Sequence, residues 1–311
     1  MTAALTIPAP APLAPSTSLA ADEEHASRLD GLALAPRTRA AYSAAWRAFV
    51  AWAREAGHEP LPASPATARL YVAHLDRRGI APASIDLALA AISAAHDLAG
   101  FASPRSSPEV RLVRKGLRRD RSTAQRQAHA LTPAELRAVV ATCDVRDAAL
   151  LLLGFATALR RSELVALNVA DVRFVERGAV VFLAKSKTDQ EGKGRLIPVH
   201  ARTGALCPVR ALRAWLGERR EGPLFTSAAG VRLSDRDVAR ILKRAAERAG
   251  LDASALSGHS LRSGFATAAA EGGASRAQIC SVTGHDIKGT MVERYIRAGE
   301  MFAADPLAGV L

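Results

Sequence analysis

The sequence predicts a mainly α-helical chain with a small β-hairpin, folded as two domains. Three observations carry that expectation. Over residues 27–117 apolar side chains recur at spacings of three and four with no alternating run among them, the pattern of packed helices. Two β-rich runs, 179–184 and 195–199, flank a polar turn inside a second half that is otherwise helical in pattern. A chain of 311 residues is also longer than one ordinary core organises.

Taken in order, residues 1–26 hold Pro8, Pro10, Pro12 and Pro15 among Ala, Ser and Thr without periodicity, and are expected to be a disordered tail. Pro36 and Thr38 open a first helix whose apolar face carries Tyr42, Trp46, Phe49, Val50 and Ala53, and Gly57 stops it. A second follows Ser64-Pro65, with Ala68, Leu70, Tyr71, Val72 and Leu75 near its apolar side. A third, from Pro82, carries Ile85, Leu89, Ile92 and His96; a fourth, from Pro108, carries Val110, Leu112, Val113 and Leu117. Residues 27–117 therefore read as a helical domain, and the polar, basic stretch 118–130 as a linker. At 131–135 Thr132 caps a helix, Pro133 takes its first position and Glu135 completes a capping box, so a second domain spans 131–311. Its helices are expected through Val140, through Ala158, and over 207–218, 234–249, 259–270, 275–283 and 290–297, with the hairpin between.

Composition bounds the function. Hydrophobic residues make up 49% and charged residues 23%, enough apolar material for buried cores. The longest apolar run, 148–159, is about half the ~20 residues that a bilayer helix needs, so no membrane span is expected. The N-terminus lacks a basic start and an apolar stretch, so no export is expected. Cys143, Cys207 and Cys280 are odd in number and far apart, which argues against disulfides and zinc and for a reducing compartment. The formal charge is +12, yet the first 35 residues carry one basic and four acidic side chains. Eight cations crowd into 105–126: Arg105, Arg111, Arg114, Lys115, Arg118, Arg119, Arg121 and Arg126. A polyanion is the natural partner for them, and a solvated Arg-rich surface is the plain alternative.

Five places in the second domain hold candidate chemistry. Arg160 ends an apolar helix, with Glu163 three residues on and able to hold its guanidinium, although such pairs are usually superficial. Lys187, in Ser186-Lys187-Thr188, is one of six lysines against 36 arginines, and a Lys can release its proton where an Arg cannot. His259 and Arg262 share a helix face at i, i+3 spacing; His285 follows Gly284 at a helix junction; Tyr295 lies on the last helix. Each has an ordinary packing or surface explanation by itself. Together they would make an anion-binding pocket with an oxygen nucleophile and a proton donor but without a carboxylate cluster for a metal. That set suits metal-free attack on a phosphodiester.

The arrangement resembles the tyrosine recombinases, or phage-type integrases, over about residues 30–300. The resemblance rests on Arg160 within Ala-Leu-Arg-Arg-Ser-Glu-Leu, Lys187 on the hairpin, His259 and Arg262 in His-Ser-Leu-Arg, His285 in Thr-Gly-His, and Tyr295 ten residues later. Where the family often has Gly before the Leu-Arg pair, this chain has Ala158. The resemblance implies a helical, SAM-like core-binding domain and a catalytic domain forming a C-shaped clamp on double-stranded DNA. It implies that Tyr295 attacks the scissile phosphate to give a 3′-phosphotyrosine, with Arg160 and Arg262 holding the phosphate oxygens and Lys187 as general acid. Lys193 competes for that last role, and Lys187 is preferred for its Ser-Lys-Thr context. His259 assists as base or donor, His285 contacts the phosphate, and Glu163 supports Arg160. No cofactor, metal or ATP is expected, and the partner arrangement is a homotetramer on synapsed sites that passes through a Holliday junction. A cytoplasmic, nucleoid-associated bacterial enzyme of the mobile-element subgroup is the expectation, since the run 283–299 resembles integrases of plasmids and transposons more than the Xer group. Alternatives are a type IB topoisomerase and a DNA-binding protein that has lost catalysis. The apolar tail Met301, Phe302, Leu307, Val310 and Leu311 is expected to pack on its own domain or on a neighbouring subunit.

Overall fold

A computed structural model of the chain describes His25, residues 35–121, 129–184 and 194–287, and Gly289, Val292, Glu293, Tyr295 and Ile296. Apart from His25, the expected N-terminal tail lies outside the described residues, as does the apolar C-terminal tail. The chain divides into two compact units, Met1–Gln125 and Arg126–Leu311. Among the described residues no helix is long and apolar enough to cross a membrane.

The first unit contains α1 (Pro36–Glu55), α2 (Pro65–Arg77), α3 (Pro82–Leu98) and α4 (Pro108–Asp120). All four open on proline, whose fixed φ suits a first turn and whose missing N–H is no loss there. Ser64 and Ser107 cap α2 and α4 by accepting from the Thr67 and Val110 N–H groups. α1 packs on α3 and α2 on α4 around Phe49, Tyr71, Val72, Ile85, Leu89, Ile92 and Val110. Buried His96 donates from Nδ1 to the Ile92 carbonyl and accepts the Ala63 N–H at Nε2, both at 2.8 Å, which fixes it as a neutral ring.

Two expectations fail here for one reason. Leu70 and Leu112 are 42% and 71% exposed. The buried faces run through Ala68, Tyr71, Val72 and Leu75 and through Val110 and Leu117, at spacings of three, four and seven. A residue two positions along from the face's first member points about 200° away. α4 also continues through Arg118, Arg119 and Asp120, which the sequence reading places in the linker. Its last turn is tied down: Arg118 pairs with Asp86, and Arg121 with Asp76. Arg126 and the rest of 122–128 lie outside the described residues.

The second unit runs α5 (Pro133–Ala141), α6 (Val145–Thr157), α7 (Arg161–Ala166), β1 (Val172–Val175), β2 (Gly178–Leu183), β3 (Arg195–His200), α8 (Pro208–Leu216), α9 (Asp235–Arg248), α10 (Ser260–Glu271) and α11 (Arg276–Thr283). Val292, Glu293, Tyr295 and Ile296 are helical beyond it. Thr132 and Glu135 form the expected capping box. α6 is the central helix, with Leu150, Leu151 and Leu153 fully buried, and it packs against α8, α10 and β3. The hairpin is a three-stranded antiparallel sheet, β1-β2-β3, in which Val181 faces Ile197 and Leu183 faces Arg195. β1 was not expected: at four residues, one of them Arg173, it is too short to register as a period.

α10 touches backbone at Gly264. A Cβ there would lie 2.2 Å from the Leu131 carbonyl oxygen and 2.9 Å from the Phe155 ring, and the Leu131 N–H donates to the Ser260 carbonyl nearby. Gly264→Ala is expected to destabilise this unit by about 1–3 kcal/mol, the usual cost of overpacking. A urea midpoint equal to that of the wild type would contradict the close approach.

Candidate active site

The site begins where α6 stops. The helix does not run into Arg160, as the sequence suggested, but ends at Thr157, with Ala158 in the left-handed region at φ +50°. That conformation costs a residue with a Cβ about 1–2 kcal/mol. It turns the chain so that the Ala158 carbonyl accepts from Nη1 of Arg262 at 2.7 Å, and it makes Arg160 the residue that caps α7. Glu163, one turn on, takes the Arg160 N–H at Oε2 (2.9 Å) and the Arg160 guanidinium at Oε1 (2.7 Å). It is only 6% exposed, so the pair is buried rather than superficial. One carboxylate thus fixes both the backbone and the side chain of Arg160.

Arg262 is 1% exposed on α10. Besides the Ala158 carbonyl it reaches Nε2 of His285 through Nη2, at 2.8 Å. A guanidinium can only donate, so Nε2 is the acceptor and the proton of His285 is on Nδ1. Burial, then Arg160, brings the Arg262 pKa down to about 10, which leaves it charged at neutral pH. Burial, followed by Arg262, Arg160, His259 and Arg195, pushes His285 down to about 4. The Tyr295 ring stacks on His285 with centroids 6.1 Å apart and planes 24° apart. His259, exposed at the N-cap of α10 with helical backbone angles, stands three residues before Arg262. Desolvation by the surrounding protein, then Arg262, Arg160 and Arg161, lowers its pKa, so it is a neutral base.

One cation escaped the sequence reading. Arg195, at the start of β3, donates from Nη1 to the Val282 and Ser281 carbonyls at the end of α11, at 2.7 and 3.2 Å. Gly284, at φ +67°, lies so close that a Cβ there would stand 2.9 Å from the Arg195 Cζ. Burial lowers the Arg195 pKa, with Glu163 opposing and Arg160 adding to the effect. Its place in Glu-Gly-Lys-Gly-Arg, opening a β-run beside the lysine turn, was the available signal. Among the described residues, Nε and Nη2 of Arg195, Nε of Arg262 and Nδ1 of His285 are buried without an acceptor. Buried donors of this kind are what an anion's oxygens complement.

Lys187 and its competitor Lys193 lie outside the described residues. The basic stretch belongs to the first unit, where α4 sorts it into two stripes. Arg114 and Arg118 both grip Asp86, and Arg121 grips Asp76. Arg111, Lys115 and Arg119 recur every four residues and are exposed; Arg105 is half-buried in the turn before α4.

His285 sets a pH signature. Its folded pKa lies below the ordinary 6.5, so between pH 6.5 and about 4 the unfolded chain binds more protons, and stability falls as the pH falls through that window. His259 adds in the same direction. His285→Asn is expected to make the decline shallower, read from urea midpoints at pH 7 and 4.5. An unchanged slope would count against a neutral, desolvated ring.

Residues 129–300 match the family model described as the phage integrase family. An integrase/recombinase XerD homologue of Selenomonas ruminantium is 36% identical over 291 residues, covering 88% of this chain and 85% of that protein. Among solved structures, the Tn1549 transposon integrase in complex with transposon right end DNA has a TM-score of 0.65 at 18% identity, covering 90% of this chain and 98% of that one. A lambda integrase tetramer bound to a Holliday junction has a TM-score of 0.62 at 19% identity, covering 89% of this chain and 76% of that one. With Tyr295, two arginines and a histidine gathered around one set of buried donors, and with the family model and the Selenomonas relative matching over most of its length, the chain belongs to the phage integrase family of tyrosine recombinases.

Proposed function

We propose that the chain is a site-specific DNA recombinase that cuts a strand through Tyr295 and rejoins it to another. The observation that carries this reading is the convergence of Arg160, Arg262, His285 and Tyr295, supplied by four separate segments, on one set of buried donors. Arg160 and Arg262 neutralise the non-bridging oxygens of the scissile phosphate, and the Nδ1–H of His285 donates a further hydrogen bond. The Tyr295 oxygen attacks phosphorus and loses its proton to His259, which its depressed pKa leaves unprotonated. The bond from phosphorus to the 5′ oxygen breaks as Lys187 donates a proton to that oxygen, leaving a 3′-phosphotyrosine and a 5′-hydroxyl. Ligation is the reverse attack by a 5′-hydroxyl from another strand. The phosphotyrosine keeps the bond energy, so the cycle needs neither ATP nor metal.

The partner is duplex DNA, whose backbone the exposed stripe Arg111, Lys115 and Arg119 of the first unit grips. A tetramer on synapsed sites is the assembly proposed, at the bacterial nucleoid, by analogy with the lambda integrase tetramer bound to a Holliday junction. Support for the mobile-element branch is the run 283–299; the relative from Selenomonas carries the XerD name.

Nicked suicide duplexes drawn from DNA flanking the gene test the chemistry. A covalent adduct is expected on denaturing gels for the wild type and none for Tyr295→Phe; an adduct that persists in the Phe variant, or none on any substrate, overturns the assignment. A 5′-bridging phosphorothiolate, whose leaving group needs no acid, should rescue Lys187→Ala but not Lys193→Ala, and the opposite pattern moves the acid to Lys193. Replacing Arg111, Lys115 and Arg119 together is expected to reduce the slope of log affinity against log salt by about 2–3, near 0.9 for each lost phosphate contact. Arg114→Ala, which breaks a pair within the unit, should lower stability more than it lowers that slope.

A further inference from the structure

The nucleophile lies on a short stretch that one helix touches at both ends. Past the C-terminal end of α11, the turn through Gly284 presents His285, whose ring stacks on Tyr295. At the N-terminal end Arg276, the first residue of α11, donates from Nη1 to Glu293 Oε1 at 2.5 Å and from Nη2 to the Gly289 carbonyl at 2.7 Å. Between the two, Ile279 and Cys280 of α11 and Ala266 and Ala270 of α10 bury Val292 completely.

These contacts do different jobs. An apolar side chain in a pocket fixes depth but leaves rotation soft, because dispersion contacts have no direction. Two hydrogen bonds from one planar guanidinium do have direction. Glu293 and Tyr295 are two residues apart in a helical stretch, about 200° around the axis. Drawing Glu293 toward the start of α11 therefore turns Tyr295 to the other side, toward His285 just past the far end of the same helix, about 12 Å along its axis.

We infer that Arg276 and Glu293 are positioning residues for the nucleophile, an ionic latch that sets the rotation of the Tyr295 segment. The inference rests on Tyr295 being the nucleophile. Both side chains are about a third exposed, so the pair is screened by salt and modest in strength.

A charge swap tests it. Arg276→Glu, Glu293→Arg and the double swap are compared with the wild type for single-turnover cleavage of nicked suicide duplex at saturating protein, and for affinity to the same duplex. Each single reversal is expected to slow cleavage about tenfold while affinity stays within about twofold, and the swap to recover most of the rate. Arg276→Lys and Glu293→Gln, which keep size, should fall between. Wild-type rates in the single variants, or a swap no faster than the slower single, overturn the latch. Hydrogen exchange of the amides over 292–296 reads it without catalysis: faster exchange is expected in each single variant and restored protection in the swap, while unchanged protection in the single variants overturns it. Failure of the recombinase reading is a separate result, the absence of an adduct in the wild type.

Discussion

The burial of the Arg262 guanidinium is the constraint around which the site is arranged. A charged group withdrawn from water must recover its hydrogen bonds from the protein, or the cost is several kcal/mol. The Ala158 carbonyl supplies one acceptor, and it reaches Arg262 only because α6 breaks into a left-handed turn before Arg160. The lone pair of His285 supplies a second, which is open only while the ring is neutral. Each neighbour is thus held in a state it would not otherwise prefer, one by backbone geometry and one by protonation. Arg160, capping the next helix, has its own acceptor in buried Glu163, so the two arginines stand close without sharing a carboxylate.

Cations elsewhere in the chain divide along similar lines. On α4 the residues at 114, 118 and 121 are satisfied by Asp86 and Asp76 and hold the helix to its own unit. Those at 111, 115 and 119 point outward. The same spacing of three and four that sorts apolar side chains into core and surface sorts the basic ones into paired and solvent-facing sets. A formal charge of +12 is therefore a sum over groups with unlike roles.

Much of this was legible in the sequence, and the parts that were not share a cause. Helix starts were visible because proline and a capping Ser or Thr mark them chemically, as at Ser64-Pro65, Ser107-Pro108 and Thr132-Pro133. The residue types of the site were visible because phosphate chemistry needs guanidinium, imidazole and phenol. The break after Thr157 was hidden because Ala, not Gly, takes the left-handed position, so the usual punctuation is missing. The role of Arg195 was hidden because it depends on the α11 carbonyls, 86 and 87 residues away in the chain. Leu70 and Leu112 misled because a count of apolar residues does not resolve two positions of helical phase. Protonation of His285 is a property of three-dimensional surroundings, which no motif encodes.

A histidine kept neutral first by burial and then by the charges of Arg262, Arg160, His259 and Arg195 is a proton site under tension. A phosphodiester set among those guanidiniums cancels part of the repulsion, and the ring's affinity for a proton rises. Phosphate and proton then favour each other's binding by the same factor, as linkage requires. The pocket's charge is thereby conditional on its contents. A neutral group of the same shape would leave that repulsion in place and the ring unprotonated.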